Sequence, residues 1–136
     1  MSNVVESSKA PDDALLNESC QTLVQCVREL DGYFAGRLKN FTVQTIITGT
    51  PFQVKAWEAL TKIPYGDTIS YKQLAANIGA PKAVRAVGGA NNKNKISIII
   101  PCHRVIGADG GLVGYGGGLD NKKFLLDLEQ GALYNP

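Results

Sequence analysis

The chain has 136 residues, 14 basic and 12 acidic side chains, three cysteines and a single histidine. That length suits one domain with a small appendage. An odd cysteine count argues against a disulfide framework, and one histidine argues against a cysteine/histidine zinc site. No stretch approaches the roughly 20 apolar residues of a membrane span, and residues 1–13 lack the basic-then-apolar pattern of a secretion signal. The expectation is a reduced, cytoplasmic protein with no metal.

Charge divides unevenly. Residues 1–50 hold four basic and six acidic side chains, and residues 51–136 hold ten and six. The basic excess in the second part hints at a polyanion partner, although an ordinary mixed surface fits as well.

In chain order, residues 1–13 are polar and predicted disordered. From Ala14 to Ala35, Leu16, Cys20, Leu23, Val27, Leu30 and Phe34 recur at three and four, which is one face of a helix. Cys20 on that stripe, and Cys26 at its border, read as small core residues. Phe41, Val43, Thr45 and Ile47 alternate, as in a short strand or an extended connector. Thr50-Pro51-Phe52-Gln53 is a helix start with a capping box and proline in the first turn. Phe52, Ala56, Ala59, Leu60 and Ile63 form its inner face, with Trp57 beside it as core. Pro64-Tyr65-Gly66-Asp67 is a turn.

Ser70-Tyr71-Lys72-Gln73 is a second capping box, and Gly79 ends that helix. Only Ala80-Pro81 separates it from a helix over 82–90, so the two form a helix-turn-helix. Val84 and Val87 of the second helix are predicted to face the core. Arg85, Gly89 and Asn92 share the opposite face, which is nearly bare. Gly88 and Gly89 inside a helix cost about 1 kcal/mol each relative to alanine, so something requires close approach. A helix laid into a nucleic-acid groove fits, and so does a tight helix–helix contact.

Ile96-Ser97-Ile98-Ile99-Ile100 reads as a buried strand that Pro101 ends, placing Cys102 and His103 at its tip. Asp109-Gly110 is a hairpin or tight-turn signal. Gly116-Gly117-Gly118 reads as a linker or an open-amide loop. Asp120 is predicted to cap a last helix in which Phe124, Leu125 and Leu128 pack. Glu129 near its end opposes the helix dipole and therefore calls for a specific partner.

A nucleophilic cysteine must ionise, and histidine is its usual activator. Neighbours in an extended chain point apart, which disfavours a direct Cys102–His103 bond. A bend or a bridging water is needed, with Glu129 the leading acceptor to orient the ring. A buried thiol beside a structural histidine fits these residues equally well.

The string Ile98-Ile99-Ile100-Pro101-Cys102-His103-Arg104-Val105 resembles the active-site motif of the O6-alkylguanine-DNA alkyltransferases (methylated-DNA–protein-cysteine methyltransferases). The resemblance runs in order from Gly49-Thr50-Pro51-Phe52-Gln53 through Ser70-Tyr71-Lys72-Gln73-Leu74-Ala75 and Arg85-Ala86-Val87-Gly88-Gly89-Ala90 to Glu129, over half the chain. It implies a mostly α fold with short strands. A winged-helix-like, helix-turn-helix DNA-binding alkyltransferase domain over 49–136 would follow a reduced N-terminal α/β remnant over 14–48.

By the same resemblance, Cys102 is the alkyl acceptor, His103 activates it through water, and Glu129 orients His103. Tyr71 helps turn the base out and donates a proton toward guanine N3, and Asn94 shapes the turn before the active-site strand. Arg85 enters the duplex from the minor groove, with Tyr71, Ala86, Gly89 and Asn92 completing the DNA-facing set. Tyr115, Gly116, Lys122 and Val105 line the base pocket. The implied activity is single-use transfer of an alkyl group, chiefly methyl, from O6-alkylguanine in double-stranded DNA, with O4-alkylthymine a second candidate lesion. The protein is expected to be a cofactor-free monomer, nucleoid-associated if bacterial.

The chain departs from the family in its short region before Gly49, in Gly116 where many members have serine, and in Ser97 where some have proline. Three other readings compete. A non-catalytic lesion-binding relative would lack Cys102, a cysteine hydrolase would need a histidine elsewhere in the chain, and a plain winged-helix binder leaves Tyr71 and the Pro-Cys-His-Arg string unexplained.

Overall fold

The computed structural model describes the backbone of residues 13–131 and the side chains from residue 20 onward. The predicted disordered segment, apart from Asp13, lies outside the described residues. The chain divides into two compact units, Met1–Thr45 and Ile46–Pro136.

The first unit is built on helix α1, Asp13–Phe34. Gly36, at φ +78°, turns the chain out of it and donates to the Tyr33 carbonyl, a left-handed closure that glycine adopts without strain. Leu16 lies outside the described side chains, and most of the rest of the stripe expected to be core is not. Leu23 and Val27 are 66% and 58% exposed, and Cys20 lies on the surface with Cys26 half-buried. Periodicity marks a face but does not supply a partner for it.

The extended segment that follows is fastened to α1 through Glu29. Its carboxylate accepts from the Thr42 and Val43 amides at 2.9 and 3.0 Å, from the Thr42 hydroxyl and from Gln25. Partial desolvation opposes ionisation there, but the hydrogen bonds from Thr42, Val43 and Gln25 outweigh it and hold the carboxyl at about 2. These bonds draw the amides toward α1. The alternation at 41–47 is therefore an extended connector and not a strand.

The second unit is helical around one short ladder. Helix α2, Pro51–Leu60, has its full capping box: Thr50 Oγ1 accepts from the Gln53 amide, and Gln53 Oε1 accepts from the Thr50 amide. Trp57 is core, as predicted, and its indole N–H donates to the Ala90 carbonyl at 2.8 Å. Strand β1, Ile69–Ser70, runs directly into helix α3, Tyr71–Asn77. Ser70 caps α3, but the second box is half-closed because the Gln73 side chain donates forward to Asn77. Gly79, at φ +77°, ends that helix.

Helix α4, Val84–Asn92, starts two residues later than expected. It buries Val87 and Ala90, while Val84 is exposed, against expectation. Strand β2, Val105–Ile106, pairs with β1 in parallel, Ile69 opposite Val105 and Ser70 opposite Ile106. Helix α5, Leu119–Glu129, has Gly118 at its N-cap, so Asp120 does not cap it. Asp120 sits one step inside, where a carboxylate still suits the helix dipole. Leu125 and Leu128 are buried as predicted, but Phe124 is exposed.

Leu60, Leu74, Val87, Ile100 and Val105 form one apolar cluster, and Cys102 is a member of it. Each large aliphatic side chain fully buried there contributes roughly 1.5–3 kcal/mol. The fold is thus mostly helical with two short strands, and its core reaches Cys102.

Candidate active site

The isoleucine run before Cys102 is a compact turn and not a strand. Asn94 takes both backbone polarities. Its Nδ2 donates to the Ile100 carbonyl at 2.7 Å and its Oδ1 accepts from the Ile96 amide at 3.0 Å. Ile100 N donates to Ile96 O, and Ile99 N to Ser97 O. One bridge, Ser97 to Ile100, is all the pairing that remains. Ile98 sits at φ +75°, a conformation that costs a β-branched residue about 1–3 kcal/mol. A side chain that competes for backbone groups overrides β propensity when it satisfies several at once. Only Ile100 of the run is fully buried.

Pro101 then admits a single 3₁₀ turn, Cys102–Arg104. The chain is not extended here, yet neighbours still diverge, because three residues per turn set them about 120° apart. Cys102 is 3% exposed and His103 fully buried. His103 Nε2 stands 2.6 Å from Glu129 Oε2. Arg104 grips both oxygens of the same carboxylate, Nε to Oε1 at 2.8 Å and Nη2 to Oε2 at 2.9 Å. Its Nη1 donates to the Ile63 carbonyl at 2.7 Å, and its guanidinium lies over the Tyr65 ring.

This explains Glu129 at a helix end that disfavours it: a buried guanidinium outweighs the dipole. A carboxylate oxygen paired with a guanidinium suits an N–H at His103 Nε2, which leaves Nδ1 as the ring's acceptor nitrogen. Nδ1 is buried with no hydrogen-bond partner among the described residues. Burial pushes the Cys102 thiol up, with the Lys122 ammonium among the groups opposing that rise. A base is therefore needed to draw its proton, and Nδ1 is a base of the right kind.

The loop 107–118 closes the other side. The Tyr71 hydroxyl donates to the carbonyls of Val113 at 2.8 Å and Gly114 at 3.2 Å. Lys122 is fully buried and donates to Val105 O at 2.6 Å and Val113 O at 3.0 Å. Burial lowers the Lys122 pKa, partly offset by the nearby Cys102, and burial raises that of Tyr71. Tyr115 packs on the core beside Cys102, and its hydroxyl is pushed to about 12 by burial and by the cysteine. Gly116 fits closely, since a Cβ there would stand 3.1 Å from the Asn92 carbonyl. Tyr71, Val105, Tyr115 and Lys122 thus neighbour the thiol or its cluster, with Lys122 acting as the clamp between β2 and the loop, while Gly116 lies against the end of α4.

Arg85, Ala86, Gly89 and Asn92 are all exposed along one side of α4. A Cβ added to Gly89 would meet nothing within 4 Å, and one at Gly88 only the Tyr71 ring at 3.8 Å. No internal helix–helix contact demands either glycine. The bare face is bare toward the outside.

Two residues of the site escaped the sequence reading, Arg104 and Asn91. Arg104 had a signal, since an arginine flanked by His103 and Val105 at the end of an apolar run needs a buried carboxylate, and Glu129 was already expected there. Asn91, buried and donating to the Cys102 carbonyl at 3.2 Å, had none.

The family model for the 6-O-methylguanine DNA methyltransferase, DNA binding domain, matches residues 51–131. A methylated-DNA–protein-cysteine methyltransferase of Methanosarcina acetivorans is 54% identical over 121 residues, 89% of this chain and 76% of its own. One from Mycobacterium leprae is 56% identical over 106 residues, 78% of this chain and 64% of its own. Among solved structures, Mycobacterium tuberculosis OGT in complex with DNA aligns with TM-score 0.78 at 55% identity, covering 79% of this chain and 67% of that one. Schizosaccharomyces pombe Atl1 bound to damaged DNA containing O6-carboxymethylguanine aligns at 0.54 and 29% identity, over 61% and 79%. With the family model spanning more than half its length, the chain belongs to the 6-O-methylguanine DNA methyltransferase family.

Proposed function

We propose that this protein repairs DNA by transferring an alkyl group, chiefly methyl, from guanine O6 to Cys102, once per molecule. The observation that carries the reading is the buried His103–Glu129–Arg104 network directly after Cys102, with His103 Nδ1 left without a partner among the described residues. The target carbon lies inside the base stack, so the nucleotide must be extruded, and a damaged pair is cheaper to open. Arg85, on the glycine-bared face of α4, is suited to enter from the minor groove and hold the gap. The bare surface at Gly89 lets the helix approach the duplex closely.

Cys102 gives its proton through a water to His103 Nδ1, and Glu129 with Arg104 steadies the imidazolium. The thiolate attacks the alkyl carbon. The sulfur–carbon bond forms as the carbon–O6 bond breaks, and guanine leaves as an anion. Tyr71 donates a proton at N3, and amides near Tyr115 and Gly116 meet the developing charge at O6. Tyr71 must release the Val113 carbonyl to do so, which couples proton donation to movement of the loop. Asn94 keeps the nucleophile on its turn. The product is a thioether, which water does not cleave, so the thiol is not regenerated. On this reading the protein acts as a cytoplasmic monomer.

The lesion-binding, non-catalytic reading suits the fold shared with Atl1, but it leaves the network beside Cys102 without a purpose. Mass spectrometry decides between them. After incubation with a duplex bearing O6-methylguanine, the Cys102 peptide should carry one added methyl and the DNA should be restored. An unmodified peptide and a persisting lesion would refute alkyl transfer.

A further inference from the structure

The turn over 64–67 lies against the His103–Glu129–Arg104 network, and nothing in the mechanism uses it. The Asp67 amide donates to the Pro64 carbonyl at 3.0 Å and closes the turn. Gly66 sits at φ +87°, a conformation that residues with a side chain resist. It presents the Gly66 amide to Glu129 Oε1 at 3.4 Å. A Cβ on Gly66 would stand 3.6 Å from the Glu129 carbonyl, so the turn packs on the end of α5.

Three contacts leave this short segment for the same two side chains. The Ile63 carbonyl accepts from Arg104 Nη1 at 2.7 Å. The Tyr65 ring centroid lies 5.7 Å from the guanidinium carbon of Arg104, within the reach of a cation–π contact. The Gly66 amide meets Glu129, and is the lesser contribution, since 3.4 Å is long for a hydrogen bond. The Arg104 side chain is 8% exposed and that of Glu129 fully buried, while Tyr65 is half-buried. The ring therefore helps to cover the guanidinium.

Where Arg104 sits decides how the carboxylate sits. Nε and Nη2 take one oxygen each, a two-pronged pairing that fixes the plane of the carboxylate. Oε2 is the oxygen that meets His103 Nε2 at 2.6 Å. A guanidinium without the ring is open to hydration and free to tilt. The carboxylate then turns with it, and the imidazole loses the fixed acceptor that keeps its proton on Nε2.

We propose that Tyr65 is a positioning residue for proton transfer from Cys102. Its ring seats the Arg104 guanidinium against Glu129, and the seated carboxylate holds His103 in the tautomer whose Nδ1 is free to accept. The inference rests on the alkyl-transfer reading and deepens it by adding an aromatic support, from the turn after α2, to the group that draws the proton.

The test compares Tyr65→Leu, which removes the ring, with Tyr65→Phe, which keeps it. Three quantities are read: single-turnover methyl transfer from a duplex bearing O6-methylguanine, equilibrium affinity for that duplex, and the imidazole 15N signals by NMR. The chain has one histidine, so those signals belong to His103 alone. The native protein should show a single tautomer protonated at Nε2. Tyr65→Leu should transfer about tenfold more slowly, with unchanged DNA affinity and with the two 15N signals drawn toward each other by tautomer exchange. Tyr65→Phe should restore both rate and signals. A native ring protonated at Nδ1, a Tyr65→Leu protein with native rate or native 15N signals, or a Tyr65→Phe protein as impaired as Tyr65→Leu would each overturn the assignment. If Tyr65→Leu does not fold, Tyr65→Met, also apolar and without a ring, takes its place in each comparison. If the native protein transfers no methyl, the alkyl-transfer reading fails separately. The 15N comparison needs no DNA and then decides the positioning role by itself.

Discussion

Helix α1 and the turn leading to Cys102 carry comparably strong apolar patterns, and the structure treats them in opposite ways. In α1 the spacing named the element correctly and the burial wrongly, since Leu23, Val24 and Val27 face outward. At 96–100 the pattern named the element wrongly, and burial held only for Ile100. The difference lies in local polar competition. The backbone of α1 keeps its helical period throughout. Before Cys102, one asparagine satisfies an amide and a carbonyl together and converts four isoleucines into a turn. A single well-placed amide therefore outweighs a run of β-branched residues, and what it gains is a fixed position for the thiol.

Four perturbations sharpen that contrast. The largest effect is expected for Glu129→Gln. It strands Arg104 as an unpaired buried cation, costing about 3–5 kcal/mol, and removes the acceptor that orients His103, slowing alkyl transfer by on the order of 10²–10³. Denaturant unfolding and single-turnover transfer check both. Asn94→Leu comes next, at about 2–4 kcal/mol, because an amide and a carbonyl lose their partner together. Transfer should slow while amide exchange in α1 stays unchanged. If hydrogen exchange shows the isoleucine run holding its turn in Asn94→Leu, the competition argument is wrong.

Val27→Ser should move stability by no more than about 0.5 kcal/mol, as for a surface site. A thermal melt showing several times that loss would mean the stripe of α1 is covered in solution. The smallest effect is a titration. Glu29 should protonate near pH 2 and not near its ordinary 4.5, as read from its carboxyl shift by NMR. The folded value is depressed, so the stabilisation is complete above about 4.5 and fades as pH falls through about 2. A midpoint near 4.5 would show that the connector is not held to α1 by that carboxylate.

Much of the second unit was legible because its signals are local and polar. Thr50 and Ser70 start helices where their hydroxyls face amides, and Gly79 stops one where the backbone turns left-handed. Glu129 was legible through a misfit, a carboxylate at the wrong end of a dipole. Asp120 shows the limit of such signals, because Gly118 took the cap two residues earlier. What stayed hidden depends on meetings across the chain. Lys122 became a clamp only when Val105 and Val113 were brought to it, and Arg104 found Glu129 from 25 positions away.

That last separation has a consequence in time. Synthesis delivers Cys102 and His103 well before the end of α5, and closing such a loop waits for its second end. A nascent chain that has exposed its thiol lacks the carboxylate that orients the histidine and balances the arginine. Until that second end arrives the site around Cys102 is incomplete, since His103 and Arg104 lack the carboxylate they share. The last helix to be made is thus the one that completes the ring-orienting network beside the nucleophile.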